Sequence, residues 1–210
     1  MTSTPAMVRT LTLAVVLFLS SCALGPVETS APRSYFLNPE ISWNNPHGHS
    51  ERIGTAILLI TQPKPQAGFD TARMAYLLRP YEINYFAFNQ WADTPARMVQ
   101  QIMVENLDKT GRWRAVLPAA GAAPAQYRLD TDNLILEQQF FSHPSLVRLS
   151  VRAQIIDTKR AAILATRYFE VLEVAPTEDA YGGVQAANHA AAKLLIELAS
   201  WLDAVMKETK

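Results

Sequence analysis

Val147-Arg148-Leu149-Ser150-Val151-Arg152-Ala153-Gln154-Ile155 alternates apolar and polar side chains without a break. A period of two is the signature of a strand with one face in a core and the other in water. Asp157–Arg160 follows as a turn, and Ile163–Val174 reads as the antiparallel partner, with Leu164, Thr166, Tyr168, Glu170 and Leu172 on one of its faces. On the other side of the decisive stretch, Tyr127–Phe140 is a further long strand. Its alternation slips at Asp132-Asn133-Leu134, which predicts a bulge. Three long strands in succession place an antiparallel sheet at the centre of the fold.

Upstream, Ile53–Thr61 is a short apolar run closed by Pro63 and reads as a buried strand. Met74–Leu78 and Glu82–Phe88 flank Arg79-Pro80-Tyr81 and form a hairpin. Asp93-Thr94-Pro95 opens a helix: Asp or Thr caps, and proline in the first turn lacks only an N–H that has no partner there. Met98, Val99, Ile102, Met103 and Leu107 recur at helical spacing, and Lys109 followed by Gly111 marks the stop. Arg112–Leu117 is a short strand. A last helix opens at Pro176–Asp179 and carries Val184, Ala187, Ala191, Leu194, Leu198, Trp201, Leu202 and Val205 in one stripe as far as Met206. The fold class expected is α+β, a mainly antiparallel sheet with two helices on one face.

The first residues differ in kind. Arg9 is the single basic residue of the first ten, Leu11–Leu19 is apolar but for Thr12, and Leu19-Ser20-Ser21-Cys22 ends in small residues before a cysteine. These are the parts of a signal peptide, and the apolar run is about half the ~20 residues that span a bilayer. Leu-Ser-Ser-Cys resembles the bacterial lipobox, in which the cysteine is lipidated. Cys22 is the only cysteine of the 210 residues, so no disulfide accounts for it. The expected organisation is a signal peptide over 1–21, a lipidated Cys22 with a flexible tether over 22–34, and one domain over 35–210. Ala23 stands where Asp resembles an inner-membrane retention signal, which favours the outer membrane, periplasmic side.

Composition narrows the function. The net charge is zero and Lys and Arg are scattered, so no basic stripe points to nucleic acid or anionic lipid. With 49% hydrophobic residues the chain builds a substantial core. No Walker-A pattern is present. His47-Gly48-His49 offers too few ligands for a metal and reads as a solvated loop. Ser142-His143-Pro144-Ser145 reads as a turn, lacking the nucleophile elbow. His189 lies within the last helix, packed or at its surface. No cofactor, metal or catalytic set is expected. Trp91 reads as a staple of the first helix against the core, and also as a candidate interface residue. Phe86 and Phe88, on one strand face, are further interface candidates.

Several stretches together resemble one family: the lipobox at Cys22, Tyr35-Phe36-Leu37, the hairpin Met74–Phe88, Gln90-Trp91-Ala92-Asp93-Thr94-Pro95, Thr110-Gly111-Arg112-Trp113 and Leu198-Ala199-Ser200-Trp201-Leu202. The chain is similar to the ABC-type transport auxiliary lipoproteins, the family of the paraquat-inducible protein C. The resemblance implies a non-catalytic lipoprotein that docks the periplasmic conduit of an MCE-type lipid transport system at the outer membrane. Its partner would be an MCE-domain protein, and head-to-tail contacts between copies would close a ring. The alternative is an outer-membrane lipoprotein that regulates a peptidoglycan synthase. The short tether, which reaches at most about 40 Å when extended, speaks against that.

Overall fold

The computed structural model describes residues 31–43, 54–119 and 124–209, and Pro32–Lys210 forms one compact unit. Eight strands and two helices follow one another: β1 (Arg33–Tyr35), β2 (Ile57–Ile60), β3 (Arg73–Leu77), β4 (Asn84–Trp91), α1 (Pro95–Lys109), β5 (Ala115–Pro118), β6 (Tyr127–Gln139), β7 (Leu146–Asp157), β8 (Ala162–Val174) and α2 (Ala180–Glu208). Cys22, its lipobox residues Leu19, Ser20 and Ser21, and the pair His47 and His49 lie outside the described residues.

β6, β7 and β8 form the expected antiparallel meander, with Leu129 opposite Ile155 and Val151 opposite Phe169. The slip in β6 is a true bulge. Register shifts between Asp132 and Ile135, and Asn133 takes φ 54°, a left-handed conformation that asparagine tolerates better than most residues. Asp157 closes the β7–β8 turn by accepting the backbone N–H groups of Lys159 at 2.9 Å and Arg160 at 3.0 Å.

The other edge of β6 corrects the expectation of a mainly antiparallel sheet. β2 pairs parallel to the first part of β6 and β3 parallel to its last part, while β2–β5 and β1–β4 are parallel as well. The sheet is therefore mixed. Periodicity assigns strands but not their direction, and the loop between β2 and β3 carries the chain onward along β6 rather than back. Lys64 and Gln66 keep hydrogen bonding to the β6 backbone on the way.

Both helices share one buried core with the same sheet face. Val147, Leu149, Val151, Ala153 and Ile155 are all buried there, as the alternation of β7 predicts, together with Leu58, Ile60 and Leu129. α1 contributes Val99, Ile102 and Met103, and α2 contributes Ala187, Leu194, Leu198 and Leu202. Thr94 stands at the N-cap position of α1 without a side-chain hydrogen bond to the helix, and Pro95 occupies its first turn. Asp179 caps α2, accepting the Gly182 N–H at 2.8 Å. Gly183 lets α2 approach β6 closely: a Cβ there would lie 2.3 Å from the Gln138 side-chain oxygen.

The polar face of β7 is not uniformly wet. Ser150 is fully buried, because it pairs with Ile135 of a satellite cluster completed by Phe69, Ala75 and Tyr85. Where β7 steps from Ile155 to Ile156, β8 holds an extra residue, Leu164, which breaks the expected face. Leu164 packs on the core, while Thr166, Tyr168, Glu170 and Leu172 face outward.

Candidate functional site

Three surfaces carry chemistry beyond packing. The first is the sheet face opposite the helices. Arg148 sits between Glu170, Tyr168 and the buried Glu137, while Gln139 donates to Glu137 at 2.7 Å. Burial disfavours the Arg148 charge. Its hydrogen bond to Glu170 and the attraction of nearby acids outweigh that, so the guanidinium is held more basic than usual. Arg152 pairs with Asp132 and Arg128 with Asp130. Arg152, read from the alternation as simply wet, is thus half-buried in an ion pair. These charges are paired with one another, and partly exposed pairs of this kind add little to stability.

The second surface is the free edge of β8. This thirteen-residue strand pairs only with β7 among the described strands. Ile163, Leu172 and Val174 stand exposed along it. Long edges with exposed apolar side chains are what monomeric sheets avoid, since such edges recruit another chain.

The third surface is the end of the sheet where β3 turns into β4 and β6 into β7. The Phe140 N–H donates to the Leu77 carbonyl at 2.9 Å and ties the two turns together. Tyr76, Phe86 and Phe140 pack with ring centroids 4.7 to 6.5 Å apart. Around them Leu78 is 58% exposed, Phe141 47% and Phe88 57%, and Tyr81 is wholly exposed.

The three candidate interface aromatics separate. Trp91 is a core residue, 4% exposed, in keeping with its reading as a staple and not with its candidacy as an interface residue: β4 runs on to pair it with Tyr35, and it lines one small cavity with Met74, Leu136 and Ala187. Phe86 and Phe88 do not share an environment. The irregular register between β3 and β4 sends Phe86 onto the core and leaves Phe88 in solvent.

The two described histidines, His143 and His189, stand apart from any cluster of metal-ligating side chains. Ser142 donates to the Pro144 carbonyl at 3.3 Å, and His143 stands in solvent 3.6 Å from Glu178. A hydrogen bond from the Ser145 N–H, more than the nearby imidazole, holds the Glu178 carboxyl below its usual range. His189 is exposed. No cluster of metal-ligating side chains occurs among the described residues. At the opposite end of the sheet an open cleft of about 390 Å³ lies between Gly54, Trp113, Tyr127 and Met206, bridged by Arg112 and Asp203 at 3.4 Å. No helix among the described residues is long and apolar enough to cross a membrane.

The family model of the ABC-type transport auxiliary lipoprotein component matches residues 35–199. The chain belongs to this family. The lipoprotein also has the fold of a protein from Xanthomonas campestris known from a crystal structure, at 18% identity and a TM-score of 0.68, covering 86% of this chain and 97% of that one. A second crystal structure, of an uncharacterized protein, matches at 12% identity and a TM-score of 0.64, covering 82% and 99%. None of the curated proteins matches the chain. As an auxiliary lipoprotein of a transporter, the chain is a membrane-anchored protein of the cell envelope.

Proposed function

We propose that this lipoprotein is the outer-membrane docking component of an MCE-type lipid transport system, held to the membrane through Cys22 and acting by binding rather than by catalysis. Membership in the transport auxiliary family supports a role beside an ABC transporter. The observation that carries the docking reading is the edge of β8. Its outer row of Ile163, Tyr168, Leu172 and Val174 is exposed, and its backbone has no partner strand among the described residues. A strand added there would gain main-chain hydrogen bonds for affinity and pockets between alternate side chains for specificity. The occupant we assign to it is a strand of the MCE-domain protein. Head-to-tail contacts between copies then build the ring around the conduit.

The test is a photocrosslinking amino acid at Leu172 in the native envelope. Capture of an MCE-domain protein, lost when the crosslinker is moved to the buried Leu149, supports the reading. Capture of a peptidoglycan synthase instead, or of no envelope protein, refutes it.

A further inference from the structure

The aromatic end of the sheet and the path of the incoming chain converge. β1 is parallel to β4, with Arg33 opposite Asn89, and β4 begins at Asn84 beside the β3–β4 turn. The chain therefore reaches Arg33 from the side of that turn. Asn89 lies five residues from Asn84, which is roughly 17 Å of strand. The opposite end is farther. Arg73 is level with Gln90 and Ala75 with Glu137, so from there to Tyr127 the sheet runs on for about 30 Å. Cys22 precedes Arg33 by eleven residues, a stretch that spans at most about 40 Å. A lipid on that cysteine thus passes the near end with more than half of its reach to spare, and passes the far end only with about three quarters of that reach drawn out along the sheet and doubled back.

The near end is also chemically suited to a lipid surface. Leu78, Tyr81, Ile83 and Phe141 stand exposed in or beside these turns, and turns joining strands ordinarily carry polar residues instead. Tyrosine and other amphipathic rings settle at the level of the headgroups, with the apolar body in the acyl boundary and the polar atom in water. The charges nearby are mixed: Arg79 pairs with Glu82, and His143 lies by Glu178. That arrangement calls for no anionic lipid.

We infer that the end formed by the β3–β4 and β6–β7 turns is a membrane-contact surface, which seats the domain on the same bilayer that holds its anchor and turns the cleft between Trp113 and Tyr127 away from it. The inference rests on the lipoprotein reading, and its test separates the two. Because Cys22 is the only native cysteine, the full chain accepts single reporters as Leu78→Cys, Phe141→Cys and, in the β7–β8 turn at the other end, Lys159→Cys. Each is labelled with an environment-sensitive fluorophore and placed in phosphatidylethanolamine–phosphatidylcholine vesicles that carry a quencher on their acyl chains. Incorporation of a fatty-acid label is followed in parallel and reports on the anchor. Chain without acyl label ends the anchor reading; the reporters are then placed on a Cys22→Ser background, so that one thiol is labelled, and the protein is added to preformed vesicles, so the quenching pattern is still measured. The expected result is a blue shift and several-fold stronger quenching at positions 78 and 141 than at 159, unchanged by salt. Equal quenching at both ends, or no quenching at 78 and 141, overturns the contact surface. So does protection of those two positions that disappears on dilution, which would mark a contact between copies of the chain.

Discussion

Phe169 and Tyr168 are neighbours in β8, both aromatic, and the fold gives them opposite fates. Phe169 is 1% exposed, in edge-to-face contact with Trp201 at 5.6 Å and beneath the Arg167 guanidinium at 4.8 Å. Tyr168 is 48% exposed on the outer face, touching Arg148 through its hydroxyl. A buried aromatic ring removes about 150–250 Å² from water. At about 25 cal/mol per Å² that is roughly 4–6 kcal/mol, of which an alanine retains a small part. Phe169→Ala is therefore expected to cost about 3–5 kcal/mol, and Tyr168→Ala within about 0.5 kcal/mol of nothing. For a domain of this size each kcal/mol moves the melting temperature by roughly 2–4 °C. Thermal unfolding followed by circular dichroism in mild detergent should then separate the two variants by about 6–20 °C. A slip of one residue in β8 would exchange the two side chains. Equal melting temperatures, or the reverse order, would refute the assigned register and with it the outward row on which docking is argued.

Asp179→Ala is expected to destabilise by about 1 kcal/mol through loss of the α2 cap, and Asp179→Asn by less, since asparagine caps as well. The Gly182 N–H, then the Thr177 hydroxyl, hold the Asp179 carboxyl below its usual 3.8. Its contribution is thus complete above about pH 4 and fades as pH falls through the lowered value; acid unfolding should lose part of its slope in Asp179→Asn. Gly54→Ala puts a Cβ 1.8 Å from the Arg112 carbonyl oxygen, so backbone must shift; a loss of about 1–3 kcal/mol in urea unfolding is expected, and a silent substitution would contradict that approach. Cys22→Ser should abolish fatty-acid labelling and release the chain from membranes, whereas undiminished label on the variant would end the anchor assignment.

Much of the fold was legible in the residues, for reasons that are local. The alternation in β7, the slip at Asp132–Leu134 and the stop at Lys109–Gly111 each report on backbone within a few residues, where side-chain period and φ preference act directly. Strand direction was not legible. Whether β2 runs parallel to β6 depends on where the chain goes after Pro63, and nothing within the Ile57–Ile60 run encodes it. The same division holds for the surfaces. Phe86 and Phe88 looked equivalent by spacing, and an irregular register made them different. The aromatic end had a readable signal that periodicity overlooks: Leu77, Leu78, Tyr81 and Ile83 crowd a turn where polar residues are the rule. The free edge of β8 had none, because an edge is defined by the strand that is missing beside it.

The placement of β6 has a consequence for how the protein comes into being. Its long ladder is what joins the first third of the chain to the last, and the Ile57 N–H waits for the side chain of Gln126, 69 residues later. β2 and β3 meet β6 only after everything between has been delivered. Contacts of such sequence separation form late, because loop closure must precede them. In a chain delivered from its amino terminus, β1, β3 and β4 pair among themselves, but β2 has no partner before β5 and the sheet has no centre before β6. A fragment ending before Tyr127 should accordingly give no cooperative melting transition, and one ending at Val174, with the sheet complete and α2 absent, should bind an apolar dye strongly on the face that α2 covers.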